Sequence, residues 1–258
     1  MNAAPQNPTA PSVPQKPRRD LISILLERFH RSPLVKVYNY HAYRLLKFAK
    51  SIAASVGPDD VVLDVGAGDC QYKPLFAGRC KYLSQDVGGK DKAFSYDQID
   101  IRSEIYDIPL PDESVTVILC TQVLEHLQYP ARALKEMYRL LKPGGRVCLT
   151  VPFAADEHML PYDYFRYTRY GLDFLFREQG FLPPKIDPQG GRFIFFGKMI
   201  KDLFPMLVIK RVGLQRAIYL VQAPVVVPLL VILYFLDKID RNTILTQNYD
   251  VVARKPGL

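Results

Sequence analysis

From Asp60 onward, short apolar runs alternate with amphipathic stretches. Val61-Val62-Leu63-Asp64-Val65 is one such run and stops at Gly66, which predicts a buried parallel strand. Lys81–Asp86 predicts a second strand, Ile99–Ile101 a weaker third, Val115–Cys120 a fourth and Arg146–Val151 a fifth. A helix is expected between the last two, with Leu134, Met137, Tyr138 and Leu141 inward and Lys142-Pro143-Gly144-Gly145 as its stop and turn. Tyr170–Gln179 predicts another helix, ended by Gly180. Repeated strand–helix–strand units imply a doubly wound, mostly parallel α/β sheet.

Helical periodicity also precedes this block. Leu45, Phe48, Ala49 and Ile52 share one face of a helix expected from about Tyr40 to Val56, ended by Gly57-Pro58. Ile22, Leu25, Leu26 and Phe29 mark a helix before it, capped by Asp20 and bordered by Arg18, Arg19, Arg28 and Arg31. It suits packing on the domain and lying on a membrane equally well. In residues 1–19 the prolines at 5, 8, 11, 14 and 17 fall on one edge of a polyproline II spacer.

The chain has 258 residues, 48% of them apolar, enough for one large domain with a sizeable core and unlike a disordered or disulfide-stapled chain. Its four cysteines, Cys70, Cys80, Cys120 and Cys148, form no C-x-x-C pair and have no histidine at metal spacing. They suit a reduced, cytoplasmic protein with no metal site. The first twenty residues show no apolar core of a secretion signal. The formal charge of +8 is unevenly spread: residues 16–50 hold nine Lys/Arg against two acids, and residues 185–216 hold seven against two. Residues 51–184, the predicted sheet, hold fourteen bases and nineteen acids. Nucleic acid is therefore not the expected partner, and basic flanks beside apolar stretches point to an anionic membrane surface.

In such sheets ligands bind beyond the strands' carboxyl ends. The first loop there is Asp64-Val65-Gly66-Ala67-Gly68-Asp69-Cys70. Gly66 and Gly68 allow a tight turn and a close backbone approach. The carboxylate of Asp64 would repel a pyrophosphate but attract the cationic amino-acid part of a nucleoside, and the third glycine of a dinucleotide fingerprint is missing. Asp86, ending the second strand, suits both hydroxyls of a ribose. Glu104 could accept from an adenine amino group, with Asp100 as its rival.

V-L-D-V-G-A-G at 62–68, Asp86, I-P-L-P-D-E-S at 108–114, V-I-L-C-T-Q-V-L-E-H at 117–126 and R-L-L-K-P-G-G at 139–145 follow in order. Together they resemble class I S-adenosylmethionine-dependent methyltransferases, in particular the methyltransferase type 11 group. The resemblance covers about residues 58–184, and Tyr249–Arg254 looks like the closing antiparallel strand of the family's seven-stranded, Rossmann-like sheet. It implies S-adenosylmethionine as cofactor, with Asp64, Gly66 and Gly68 around its methionine part and Asp86 on the ribose. It further implies Glu104 and Ile105 at the adenine, and Cys120, Thr121 and Gln122 on the sulfonium side. Asp69-Cys70 stands where the family often has another glycine, and Thr116 where an aspartate is usual.

Residues 152–168 resemble the H-x-x-P-x-D-Y-x-R-Y-T stretch of type 11 members associated with polysaccharide or lipid-linked substrates. An activated methyl needs alignment and a base for the acceptor hydroxyl. His158 is the first candidate base and His126 the second; either could instead be a loop-ordering or helix-start residue. Asp163 either orients His158 or, as favoured, clamps the loop with Arg166. Tyr162, Tyr164 and Tyr167 either stack on the acceptor or wall its pocket.

An addition from Arg192 to Thr246 precedes the closing strand, and its Ala217–Leu236 stretch carries no formal charge. One full crossing of a bilayer is excluded if Tyr249–Arg254 rejoins the sheet, because the chain must return to the side it left. The favoured expectation is a pair of monotopic helices, with Lys198, Lys201, Lys210, Arg211 and Arg216 near headgroups. A lid or dimer surface and a re-entrant hairpin are the rivals. The units expected are a tail 1–19, helices 20–57, a core 58–191, an apolar insertion 192–247 and a closing segment 248–258. The function expected is O-methylation of a glycan, lipid-linked or other hydrophobic acceptor at the inner face of a membrane. The alternative is a catalytically silent, membrane-associated scaffold or an S-adenosylmethionine-binding protein with the same fold.

Overall fold

A computed structural model describes residues 34–88, 96–206, 212–240 and 242–257. The expected tail, the helix around Ile22–Phe29, Lys210 and Arg211 lie outside the described residues, as does the side chain of Arg216. In chain order the elements are α1 (Val35–Tyr38), α2 (Tyr40–Ala53), β1 (Val61–Val65), α3 (Lys73–Phe76), β2 (Lys81–Asp86) and β3 (Ile101–Arg102). They continue with β4 (Val115–Thr121), α4 (Pro130–Leu140), β5 (Leu141–Pro152), α5 (Arg169–Glu178) and β6 (Lys185–Pro188). The last are α6 (Arg192–Met206), α7 (Val212–Asp240) and β7 (Asn248–Arg254). The sheet has seven strands in the order β3-β2-β1-β4-β5-β7-β6. It is parallel except for β7, which runs antiparallel to both β5 and β6.

Both faces of the sheet are covered, as continuous apolar strands require. One face packs Leu63, Ile118, Leu149 and Val251 against Leu134 and Met137 of α4 and Leu172 and Phe176 of α5. The other packs Val62, Val117 and Cys148 against Phe48, Ala49 and Ile52 of α2. The Arg44 guanidinium reaches Asp250 of β7 at 2.9 Å and ties α2 to the sheet. Thr116, where the family usually has an aspartate, braces β1 against β4 by accepting from Val61 N at 3.0 Å.

Two expectations are corrected. The third strand is Ile101–Arg102 and not Ile99–Ile101. Asp100 is held by the amide and hydroxyl of Ser84 at 2.9 and 2.7 Å, so ladder pairing with β2 begins only at Ile101. The Lys142-Pro143-Gly144-Gly145 run does not precede the fifth strand but lies inside it. The register jumps there from Val115 opposite Leu141 to Val117 opposite Arg146, a bulge that accommodates the extra residues. Gly145 permits it, since a Cβ would stand 2.9 Å from Lys142 O and 3.0 Å from Thr116 O.

The insertion forms an antiparallel helical hairpin between β6 and β7. Asp237 near the end of α7 accepts from the amides of Gly191, Phe193 and Ile194 at 2.9–3.2 Å, capping the start of α6. Gly197 lets the helices approach, because a Cβ there would meet Leu230 Cδ2 at 2.9 Å. The Val221–Asp240 part of α7 is long and apolar enough to cross a membrane, and among the described residues no other helix is. Pro224 and Pro228 lie within α7.

Candidate active site

Strand order reverses between β1 and β4, and in sheets of this kind ligands bind beyond the carboxyl ends of the strands at such a reversal. Gly66 and Gly68 adopt φ of +68° and +56°. A Cβ on Gly66 would stand 2.5 Å from Val123 Cγ2, so the backbone of the first loop lies directly against the loop after β4. Gly68 N donates to Asp86 Oδ2 at 3.0 Å and Gly88 N to Asp86 Oδ1 at 2.8 Å. Asp86 thus joins the loops after β1 and β2, and each of its oxygens keeps a second lone pair for a ligand hydroxyl. Cys70, where the family often has glycine, takes the left-handed φ of +56° and buries its thiol, which lies 3.7 Å from Gln98 O.

Asp64 is only 1% exposed. The Tyr82 hydroxyl donates to its Oδ2 at 2.5 Å, and burial pushes the carboxyl up to about 7 despite this bond. Asp100, the rival for the adenine, is committed to Ser84, whereas Glu104 is exposed beside buried Ile105. On β4, Cys120 is buried in the core, and Thr121 and Gln122 come nearer the surface. Gln122 takes φ of +54° and its side-chain amide donates to Thr150 Oγ1 at 3.1 Å.

The loop after β5 folds back over the loop after β4. Arg166 grips both oxygens of Asp163 at 2.7 Å, and its Nη2 also reaches Asp156 O at 2.9 Å. The Asp163 side chain is 1% exposed, and the guanidinium holds its carboxyl well below the usual range. This is the clamp geometry, and Asp163 also accepts from His158 N at 3.0 Å. Amides of Tyr164 and Phe165 donate to Glu125 O at 2.9 and 3.2 Å, locking the two loops together.

His126 and His158 therefore meet edge to face with ring centroids 4.8 Å apart. The Nδ1–H of His126 donates to Tyr162 O at 2.8 Å and that of His158 to Asp156 O at 3.0 Å. Burial depresses the His126 imidazole below its ordinary value. Tyr162 is exposed, while the Tyr164 hydroxyl accepts from Gln128 at 2.9 Å. Tyr167 is buried and donates to Leu124 O at 2.9 Å, so it walls the site and does not face a ligand.

Sequence reasoning passed over Glu125 although it lies inside a quoted motif. It is 0% exposed, and neither carboxylate oxygen has a hydrogen-bond partner. Burial pushes its carboxyl up to about 8. The available signal was an acid directly after an apolar strand exit and next to a histidine. Also missed was His41 in α2, whose Nδ1 lies 2.9 Å from Asn248 Nδ2. It lines a cavity of about 180 Å³ with Tyr38, Lys198, Lys201, Leu230 and Leu233. Lys198 also reaches Asp156 at 3.3 Å, placing the hairpin beside the loop that carries His158.

Paired glycines after β1, an acid bridging the loops after β1 and β2, and a buried acid within β1 stand together at the carboxyl edge of an α/β sheet. Residues 63–149, about a third of the chain, match the family model for a methyltransferase domain, and this match together with the relatives supports a class I S-adenosylmethionine-dependent methyltransferase of the type 11 group. It is 41% identical over 58 residues to a probable S-adenosylmethionine-dependent methyltransferase of Mycolicibacterium smegmatis, covering 22% of this chain and 23% of that one. It is 25% identical over 191 residues to the ubiquinone/menaquinone biosynthesis C-methyltransferase of Pseudoalteromonas translucida, covering 65% and 75%. Among solved structures, the [4+2]-cyclase SpnF shares the fold, with a TM-score of 0.54 at 19% identity over 81% of each chain. The chain spans less than a third of the length of the first curated relatives it matches.

The residues present fit this cofactor. Gly66 lets the first loop lie against Val123, Asp86 retains acceptor capacity on both oxygens, and Glu104 stands free of the bond that occupies Asp100.

Proposed function

We propose that the chain is an S-adenosylmethionine-dependent methyltransferase acting on an oxygen of an amphiphilic acceptor, a glycan or lipid-linked molecule, at the cytoplasmic face of a membrane. Bound S-adenosylmethionine supplies a methyl already activated by its sulfonium and leaves as S-adenosylhomocysteine. Asp86 would hold the ribose, Glu104 and Ile105 the adenine, and the Gly66–Gly68 backbone the methionine part beside Asp64. The work left to the remaining residues is to align the acceptor oxygen and receive its proton. His158 and His126 stand where the loops after β4 and β5 meet, and each keeps a lone pair on Nε2 because its Nδ1–H is bound to a carbonyl.

The cavity between α1, α2 and the hairpin carries the acceptor class. Its lining includes Lys198 and Lys201, which share Asp202 at 3.3 Å, together with Phe193, Leu230 and Leu233. Polar groups beside apolar walls suit a polar head joined to a hydrocarbon chain. The hairpin supports a membrane setting. Val221, Val225, Ile232, Phe235 and Ile239 of α7 form one exposed stripe, with Val221 81% and Ile239 77% exposed, and α6 adds Phe196, Met199 and Leu203. An exposed apolar face of this extent favours lying in the headgroup region. Both ends of the hairpin return to the sheet, which agrees with a monotopic arrangement.

The test combines flotation with methyl transfer. The full chain should float with vesicles containing anionic phospholipid, and Ile232→Asp with Phe235→Asp should release it. Labelled S-adenosylmethionine should then pass its methyl to the lipid-linked fraction of a cell extract, and Asp86→Ala should stop this. Recovery of the wild-type chain only in the dense fraction would remove the membrane setting. Cofactor binding without any transfer of label would favour the silent scaffold, which matters because the fold alone, as in the [4+2]-cyclase, does not fix the chemistry.

A further inference from the structure

We propose that Glu125, His126 and His158 form a binding site for a divalent first-row transition metal at the acceptor mouth. Each side chain offers one ligand atom, and the three atoms lie within 4.8 Å of one another. His126 Nε2 stands 3.9 Å from Glu125 Oε1. The independent pointer is Glu125 itself: both of its oxygens are buried and without a partner, an arrangement proteins avoid unless something unseen satisfies the group.

The orientation of both rings suits the same role. A metal-binding imidazole commonly donates its other N–H to a carbonyl or carboxylate, which fixes the tautomer and aims the free nitrogen. Here Tyr162 O receives from His126 Nδ1 at 2.8 Å and Asp156 O from His158 Nδ1 at 3.0 Å. Arg166 in turn fastens that carbonyl and Asp163 in one grip. The observed spacing exceeds the roughly 3.3 Å between ligands of a tetrahedral ion with bonds near 2.0 Å, so the loop bearing half-exposed His158 would draw in on binding.

Two imidazoles and one carboxylate suit zinc, iron(II), cobalt(II) or manganese(II) better than calcium or magnesium, and three protein ligands leave positions open. The spacing of cysteines and histidines along the chain predicts no metal; these ligands come from two loops that only the fold joins. The role of the ion rests on the methyl-transfer reading. An acceptor hydroxyl bound at an open position would release its proton to solvent more readily, leaving its oxygen to bond the methyl as the carbon–sulfur bond breaks. The imidazoles would then hold the ion and would not take the proton.

The experiment uses the full chain, stripped with a chelator and titrated with cobalt(II). One cobalt per chain is expected, with visible d–d bands, no thiolate charge-transfer band, and displacement by zinc. Glu125→Gln, His126→Ala and His158→Ala should each weaken cobalt binding at least tenfold. His158 lies on a surface loop, so its variant stays informative if Glu125→Gln fails to fold, and circular dichroism with S-adenosylhomocysteine binding monitors the fold. No stoichiometric cobalt, or undiminished affinity in the His158 variant, overturns the metal site. Methyl transfer that persists in chelator without cobalt binding would reject the metal and keep the enzyme. Cobalt binding without cofactor binding would do the reverse.

Discussion

His126 follows β4 and His158 follows β5, yet their rings touch at right angles with centroids 4.8 Å apart. His126 reaches the loop after β5 directly, through Nδ1 on Tyr162 O at 2.8 Å, but the pairing needs more than that contact. It depends on the loop after β5, which Arg166 gathers by binding Asp163 through both nitrogens and the carbonyls of Ala155 and Asp156 at 3.2 and 2.9 Å.

Arg166→Ala should therefore act on stability and on the site together. Breaking this partly buried pair leaves Asp163 with only the His158 amide as hydrogen-bond partner among the described residues and should cost about 1–3 kcal/mol. Arg166→Lys keeps the charge but loses the two-pronged grip, and should recover only part of it. Urea unfolding measures the loss, and limited proteolysis should cut residues 153–167 faster in both variants. Unchanged cleavage would show that the clamp does not order the loop.

Gly66→Ala tests the close approach beneath the cofactor loop. The added methyl meets Val123 Cγ2 at 2.5 Å, and φ of +68° is unfavourable for alanine. The expected result is a loss of about 1–3 kcal/mol in stability and at least tenfold weaker S-adenosylhomocysteine binding. Adding Val123→Ala should relieve the collision but not the backbone strain, so rescue should be partial by calorimetry.

His41 gives the acid side of the stability profile. Burial, aided by Lys198, Lys201 and His158, depresses its imidazole from 6.5 to about 4. The unfolded chain then binds a proton between these values that the folded chain refuses. Stability from neutral His41 is complete above pH 6.5 and declines as pH falls toward 4. The contribution is on the order of 2–3 kcal/mol. His41→Gln should flatten the difference in urea midpoint between pH 7 and pH 5, and an unaltered difference would assign the acid sensitivity to other groups.

The central strands were readable because Val61–Val65, Val115–Thr121 and the Arg146–Val151 part of β5 are nearly continuous apolar runs, a property of the local sequence. The turn after β1 was readable for a related reason: Gly66 and Gly68 mark its left-handed backbone, and Asp86 is marked by its place at a strand end. The Lys142–Gly145 run misled, because proline and two glycines serve a turn and a strand bulge equally well, and only pairing with β4 decides. Glu125 was invisible as an orphan, since lacking a partner is a tertiary property. The same holds for the cavity around His41, whose walls come from the two ends of the chain. Tyr167 shows the limit in the other direction: beside Tyr162 and Tyr164 it looks like a ligand contact, but its hydroxyl is bound to Leu124 O.

Calorimetric titration of the full chain with S-adenosylhomocysteine, repeated on Asp86→Ala, bears most directly on the whole account. One site per chain is predicted, with affinity falling at least tenfold when the carboxylate joining Gly68 and Gly88 is removed. An absence of heat in the wild type, or equal affinity in the variant, would contradict the assignment of the sheet's carboxyl edge to the cofactor.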